Sequence, residues 1–164
     1  MRSRKENYSR LGFVAEGNTT YYGGLFLFRS NDYDDYNYFK EISKLLQKHF
    51  HNYGRFNLSV ADSSHDTWLD GYVEGVPHRK TSIYTEGALC AFMIDILIRK
   101  NTFNNKSLDD VMRYLYENFG KKGMGYSEKD YQHTVELIGG KTFDDFFKNY
   151  YYGTEDFEPL LNNC

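Results

Sequence analysis

Apolar residues recur at three-to-four spacing along most of this chain, with polar residues filling the positions between them. From Tyr33 to Tyr53 the apolar set is Tyr38, Ile42, Leu45 and Leu46, joined by His49. Lys40, Glu41, Lys44 and Lys48 fall on the opposite side, which predicts an amphipathic helix. Ser82 to Lys100 is apolar on most sides (Ile83, Leu89, Phe92, Met93, Ile96, Leu97), so it predicts the central buried helix. Glu16 to Arg29 also reads as a helix, although Gly23 and Gly24 lie inside it. Each glycine costs about 1 kcal/mol against alanine, so something is expected to pack closely there.

Start and stop signals frame three more helices. Ser107, Ser127 and Thr142 each stand three residues ahead of an aspartate: Asp110, Asp130 and Asp145. A hydroxyl there accepts from a free N–H of the first turn, and the carboxylates suit the positive end of the helix dipole. Gly120, Gly139 and Gly153 follow as stops, since a left-handed residue ends a helix cheaply. The predicted helices run over about 108–119, 128–138 and 143–152. Gly54 to Thr81 is the least regular stretch. With no strand pair and no repeat, the fold class expected is all-α.

Composition narrows the classes. The 164 residues carry 16 Tyr, 13 Phe and 1 Trp, too many aromatic groups for a disordered tail. Twenty Lys+Arg against 23 Asp+Glu leave a net charge of -3 with no basic stripe, so no nucleic-acid partner is expected. The apolar run Ala88 to Ile94 is broken at Asp95, short of the about 20 residues that span a bilayer. The basic N-terminus has no apolar region behind it, and localisation stays open. Two cysteines, Cys90 and Cys164, make no disulfide framework.

Much familiar chemistry is absent. The chain has no glycine-rich phosphate loop, no Gly-x-Ser-x-Gly elbow, no Cys-x-x-Cys and no His-Glu-x-x-His. His49 and His51 are two apart and point to different sides of a helix, so they cannot share a metal. His65, His78 and His133 stand alone. These imidazoles read as surface or partly buried groups.

What remains is an ordered set of phrases: Glu16-Gly17-Asn18-Thr19-Thr20-Tyr21-Tyr22, then Tyr84-Thr85-Glu86-Gly87-Ala88, then Ser107-Leu108-Asp109-Asp110, and finally Asp145-Phe146-Phe147 with Tyr150 and Gly153. In number, order and spacing they resemble the C-terminal helical half of the catalytic domain of the glycyl aminopeptidase family, thermolysin-like gluzincin zinc peptidases. The resemblance implies a helical, bundle-like subdomain: 1–10 the edge of a fragment, 11–161 the C-terminal part of the catalytic domain, 162–164 a tail. It implies Glu16 as the third zinc ligand and Tyr84 as the catalytic tyrosine that stabilises the transition state. It implies peptide substrates with a small N-terminal residue such as Gly or Ala. Asn18 departs from the family, which usually places an aromatic residue there.

A catalytic zinc needs three protein ligands, and in this family the general base lies between the two histidines that this chain lacks. The chain alone is therefore expected to be inactive and to hold no zinc tightly. The face that covers the zinc helix, with Tyr21, Tyr22 and Leu25, is expected to be exposed and to support self-association. Plainer readings stand beside these. Glu16 also reads as a first-turn carboxylate, Tyr84 as a core tyrosine, Glu86 as a structural group facing away from Tyr84, and His78 and Arg79 as a solvated loop. Tyr150-Tyr151-Tyr152 reads as a helix face, and Trp68 as core or pocket wall. The competing class is a non-enzymatic helical module that binds peptide or carbohydrate through an aromatic face.

Overall fold

The computed structural model describes residues 8–70 and 76–162. Among them are helices and helical turns and no strand, so the chain is all-α. A π-turn, Phe13–Gly17, runs directly into α1 (Asn18–Arg29), followed by α2 (Asp35–His51). A 3₁₀ turn, Tyr53–Phe56, leads to α3 (Val60–Asp70), then α4 (Ile83–Asn101) and α5 (Leu108–Asn118). After a second 3₁₀ turn, Gly120–Lys122, come α6 (Glu128–Gly139), α7 (Asp144–Phe146) with a π-turn at Phe147–Tyr151, and α8 (Glu158–Leu161).

The axle is α4. Leu89, Met93, Ile94 and Ile98 are wholly buried in it, because the π-turn, α1, α2, α3, α5 and α6 all pack around it. Ser82 caps its start by accepting the N–H of Thr85 at 3.3 Å. Buried polar groups on α4 bind its neighbours. Asp95 accepts the Tyr21 hydroxyl of α1 at 2.8 Å, the Leu108 N–H at the start of α5 at 2.7 Å, and Arg99 Nε at 3.0 Å. About two and a half turns earlier on α4, Glu86 holds His49 Nδ1 of α2 at 2.8 and 2.9 Å. Both groups are buried, and the imidazole stacks on Phe157, 4.5 Å between ring centres.

Several boundaries differ from the sequence expectation, each for a local reason. The irregular stretch Gly54–Thr81 contains α3. Its start carries the same hydroxyl-x-x-aspartate signal as the others, with Ser59 Oγ accepting the Asp62 N–H at 3.1 Å. It was obscured because Ser63 and Ser64 occupy its buried face, where Ser64 Oγ bonds back to the Val60 carbonyl. The left-handed stops are Gly123 and Gly140, not Gly120 and Gly139. Helix α5 ends at Asn118 through an added 3₁₀ turn, and Gly139 is needed instead for its closeness to the Phe143 ring. Thr142 does not cap a regular helix: the Phe143 N–H goes to Glu136 Oε1, and the chain makes one short α-turn and then a π-turn. Gly153 is not left-handed.

The glycine expectation also moves. A Cβ on Gly23 would meet nothing within 4 Å, and one on Gly24 only Tyr38 at 4.0 Å. The close approach lies instead at Gly17 and Gly87, where the π-turn crosses α4. Of the expected edge 1–10, residues 1–7 lie outside the described residues, while Arg10 pairs with Asp62 of α3. Of the expected tail 162–164, only Asn162 is described. Cys90 is a free, buried thiol; Cys164 lies outside the described residues.

Candidate functional site

The first elements of the site are fixed by backbone packing. Phe13 N–H at the head of the π-turn has no helical acceptor, and the buried Ser64 Oγ of α3 takes it at 2.9 Å. At the other end Gly17 lies against Gly87 of α4. A π-turn is rare and often found at functional sites. This one carries Glu16, whose carboxylate makes no hydrogen bond or ion pair with any described residue.

Glu16 borders a hollow of about 670 Å³ between the π-turn, α3, and the end of α5 with its following loop. Trp68 forms part of its wall and is 52% exposed, which decides that residue as wall and not core. A second hollow, about 750 Å³, continues along α1 and the first half of α5. Ala15, Met112 and Tyr126 border both. Together they make one groove between α1 and α5, with Glu16 toward one end and Arg29, Asp109 and Arg113 along the other, where Arg29 pairs with Asp109 at 3.0 Å.

Tyr84 stands in the first turn of α4, 36% exposed. Its neighbour Ile83 borders the Glu16 hollow, while Tyr84 itself does not. The structure thus brings the elements bearing Glu16 and Tyr84 together at Gly17 and Gly87. Glu86, two residues beyond Tyr84, turns inward to His49. Of the face expected to be exposed, Tyr22 borders the groove, whereas Tyr21 and Leu25 are buried. Burial, with Asp95 adding to it, pushes the Tyr21 hydroxyl well above the ordinary tyrosine range. Burial does the same to Tyr22, reinforced by its bond to Asp109.

The remaining candidates are dispersed. His78 and His51 border a shallow hollow with Lys48, and Arg79 pairs with Asp66. Tyr151 is wholly buried while Tyr150 and Tyr152 are half-buried, as a helix face. Among the described residues no group of three or more His, Cys, Asp or Glu could hold a metal. Glu16 alone does not meet the needs of a zinc ion, so these residues do not make a zinc site by themselves.

A family model described as M61 glycyl aminopeptidase matches residues 1–90, more than half of the chain and all of the segment from the π-turn to α4's first two turns. The chain belongs to the M61 glycyl aminopeptidase family. A solved structure from Idiomarina loihiensis, titled an aminopeptidase N family protein, is similar over 98% of this chain, with a TM-score of 0.87 and 28% identity. The match takes in 28% of that protein, so this chain spans less than a third of its length. A search of curated proteins finds no match.

Asp95 and the groove escaped the sequence reading of this M61 chain in different ways. Asp95 left a signal, a single carboxylate interrupting an apolar run, which marks a buried polar hub as readily as a helix edge. The groove left none, because its walls come from segments about 90 residues apart.

Proposed function

We propose that this chain is the C-terminal helical part of an M61 zinc aminopeptidase catalytic domain acting on peptides with a small N-terminal residue. In this reading Glu16 supplies one metal ligand, the other two come from outside these 164 residues, and Tyr84 donates a hydrogen bond to the oxyanion that forms as the peptide carbonyl is attacked. The observation that carries it is the Glu16 carboxylate itself. It sits on a π-turn clamped at both ends, without a partner among the described residues, at the edge of an open groove and one residue from the crossing with the Tyr84 helix. A tyrosine hydroxyl stays protonated at working pH and suits an oxyanion donor.

The test has two parts. Equilibrium dialysis of the 164-residue chain with zinc is expected to leave it essentially metal-free, and glycyl or alanyl p-nitroanilide is expected to pass unhydrolysed. Stoichiometric zinc or turnover overturns the reading. In a catalytic domain carrying this chain, Glu16→Ala is expected to lose zinc. Tyr84→Phe is expected to keep zinc and KM and to lose about 10²–10³ in kcat. A loss below about threefold makes Tyr84 a structural tyrosine. A second reading, a non-enzymatic peptide-binding module, draws on the exposed Phe26, Trp68, Tyr116 and Met124 along the same groove. Peptide binding without zinc or turnover in the larger domain would favour it.

A further inference from the structure

Next to the crossing of Gly17 and Gly87, a second contact holds the first turn of α4. Glu86 is 3% exposed, and among the described residues its carboxylate bonds to one group, Nδ1 of His49 on α2, at 2.9 and 2.8 Å from its two oxygens. The imidazole is 1% exposed, its plane is set by Phe157, and its Nε2 makes no hydrogen bond among the described residues. Holding Glu86 is therefore the one polar task of that ring. The lead-in to α4 is moored to the turn after α2 and to α3. Asn57 Nδ2 donates to the His78 carbonyl at 2.8 Å, Gly54 lies against the Lys80 carbonyl, and Ser63 Oγ accepts the Thr81 N–H at 3.2 Å.

A buried pair of this kind adds little stability over two apolar side chains of similar size, so stability alone does not account for it. Residues two apart on a helix project about 200° from each other. A bond that holds Glu86 inward thus fixes the roll of the turn, and with it the course of Tyr84 on the outer side, 36% exposed. The Gly17–Gly87 crossing sets the spacing between the Glu16 turn and α4, and the pair sets the rotation. We infer that His49 and Glu86 are positioning residues for the Tyr84 hydroxyl, acting through the first turn of α4. The inference rests on the peptidase reading, in which Tyr84 donates to the oxyanion.

Three changes in a catalytic domain carrying this chain test it. Glu86→Asp keeps the charge and shortens the reach by one methylene. Glu86→Gln drops the charge but keeps the reach and an acceptor for the Nδ1–H. His49→Phe with Glu86→Met replaces the pair by apolar groups and covers the case in which Glu86→Asp does not fold. Glu86→Asp and the apolar pair are expected to keep zinc and KM and to lose about 10–10² in kcat, within the loss of Tyr84→Phe. Glu86→Gln is expected to stay within about threefold. In a Tyr84→Phe background each change costs no more than about threefold further. Asp tolerated better than Gln overturns the inference, as do equal losses with and without the Tyr84 hydroxyl, or a folded apolar pair with kcat within about threefold.

Hydrogen exchange of the 164-residue chain separates the inference from the reading beneath it. Amides 85–88 are expected to exchange at least about tenfold faster in Glu86→Asp, with those of Ile94 and Ile98 unchanged. Unchanged exchange overturns the inference and leaves the reading standing. A Tyr84→Phe loss below about threefold overturns the reading instead, whatever the exchange shows.

Discussion

Gly17 and Gly87 meet backbone to backbone. A Cβ on Gly17 would stand 2.4 Å from the Cα of Gly87, and one on Gly87 would stand 2.8 Å from the Cα of Gly17 and 2.6 Å from the Phe13 carbonyl oxygen. Neither obstacle is the end of a flexible side chain, so only hydrogen fits between the two elements. The contact sets how close the Glu16 turn lies to the Tyr84 helix, and it links the packing of the core to the geometry of the candidate site.

Gly87→Ala should therefore destabilise the chain even though alanine is the better helix former. The propensity gain is about 1 kcal/mol, but overpacking against backbone costs about 1–3 kcal/mol or more and must shift the crossing itself. Gly23→Ala is the matched control. It adds the same methyl inside α1 with open space around it, so it should stabilise by about 0.5–1 kcal/mol. Urea unfolding followed by circular dichroism separates the two; equal and opposite outcomes to those stated would show that the crossing tolerates a side chain.

This pair also shows what was legible in the sequence. Periodicity located α2 and α4, and hydroxyl-x-x-aspartate signals located α5 and α6, because both depend on neighbours in the chain. The Ser127–Asp130 box forms as the spacing requires, with the Asp130 carboxylate accepting the Ser127 N–H at 2.8 Å. Gly17 and Gly87 are separated by 70 positions, and nothing local distinguishes them from Gly23. Glu16 and Tyr84 are singled out only by the resemblance of whole phrases, while the groove beside Glu16 arises from α1 and α5 together. Buried serines hid α3, since their hydroxyls are satisfied by backbone groups that only the fold brings near.

Asp95 ties α1 and α5 to the central helix, and its removal should be expensive. Asp95→Ala leaves the buried Tyr21 hydroxyl and the Leu108 N–H without an acceptor and strips Arg99 of its partner. A loss of about 3–5 kcal/mol is expected. Tyr21→Phe removes only one donor and should lose about 1 kcal/mol. A double-mutant cycle should show the two effects to be coupled, because the Tyr21 term vanishes once Asp95 is gone. Hydrogen exchange at the Leu108 amide gives a local readout and should accelerate in the Asp95 variant. Full additivity, or a loss below about 1 kcal/mol for Asp95→Ala, would remove Asp95 from its place as the hub.

The buried tyrosines predict an alkaline limit to the fold. An ordinary tyrosine ionises near pH 10. Burial pushes Tyr131 up to about 12 and Tyr151 well above the ordinary range, and Tyr21 rises through burial and the adjacent Asp95. Each is a group whose folded-state pKa exceeds its unfolded value, so its stabilising contribution is complete below pH 10. Above pH 10 the unfolded chain releases protons that the folded chain keeps, and stability falls as pH rises. For Tyr131 alone the gap from 10 to about 12 is worth about 3 kcal/mol once pH passes 12. Urea unfolding at pH 8, 10, 11 and 12 should show constant stability at first and a steep decline afterwards. Tyrosinate absorbance near 295 nm should rise in two stages, the second coinciding with loss of helical circular dichroism. Tyr131→Phe should shift that second stage to higher pH, since phenylalanine fills the ring's place and has no proton to lose. If every tyrosine ionises near pH 10 while the helices persist, the three hydroxyls are reached by solvent and the core around Asn18, Tyr131 and Tyr151 is looser than the structure shows.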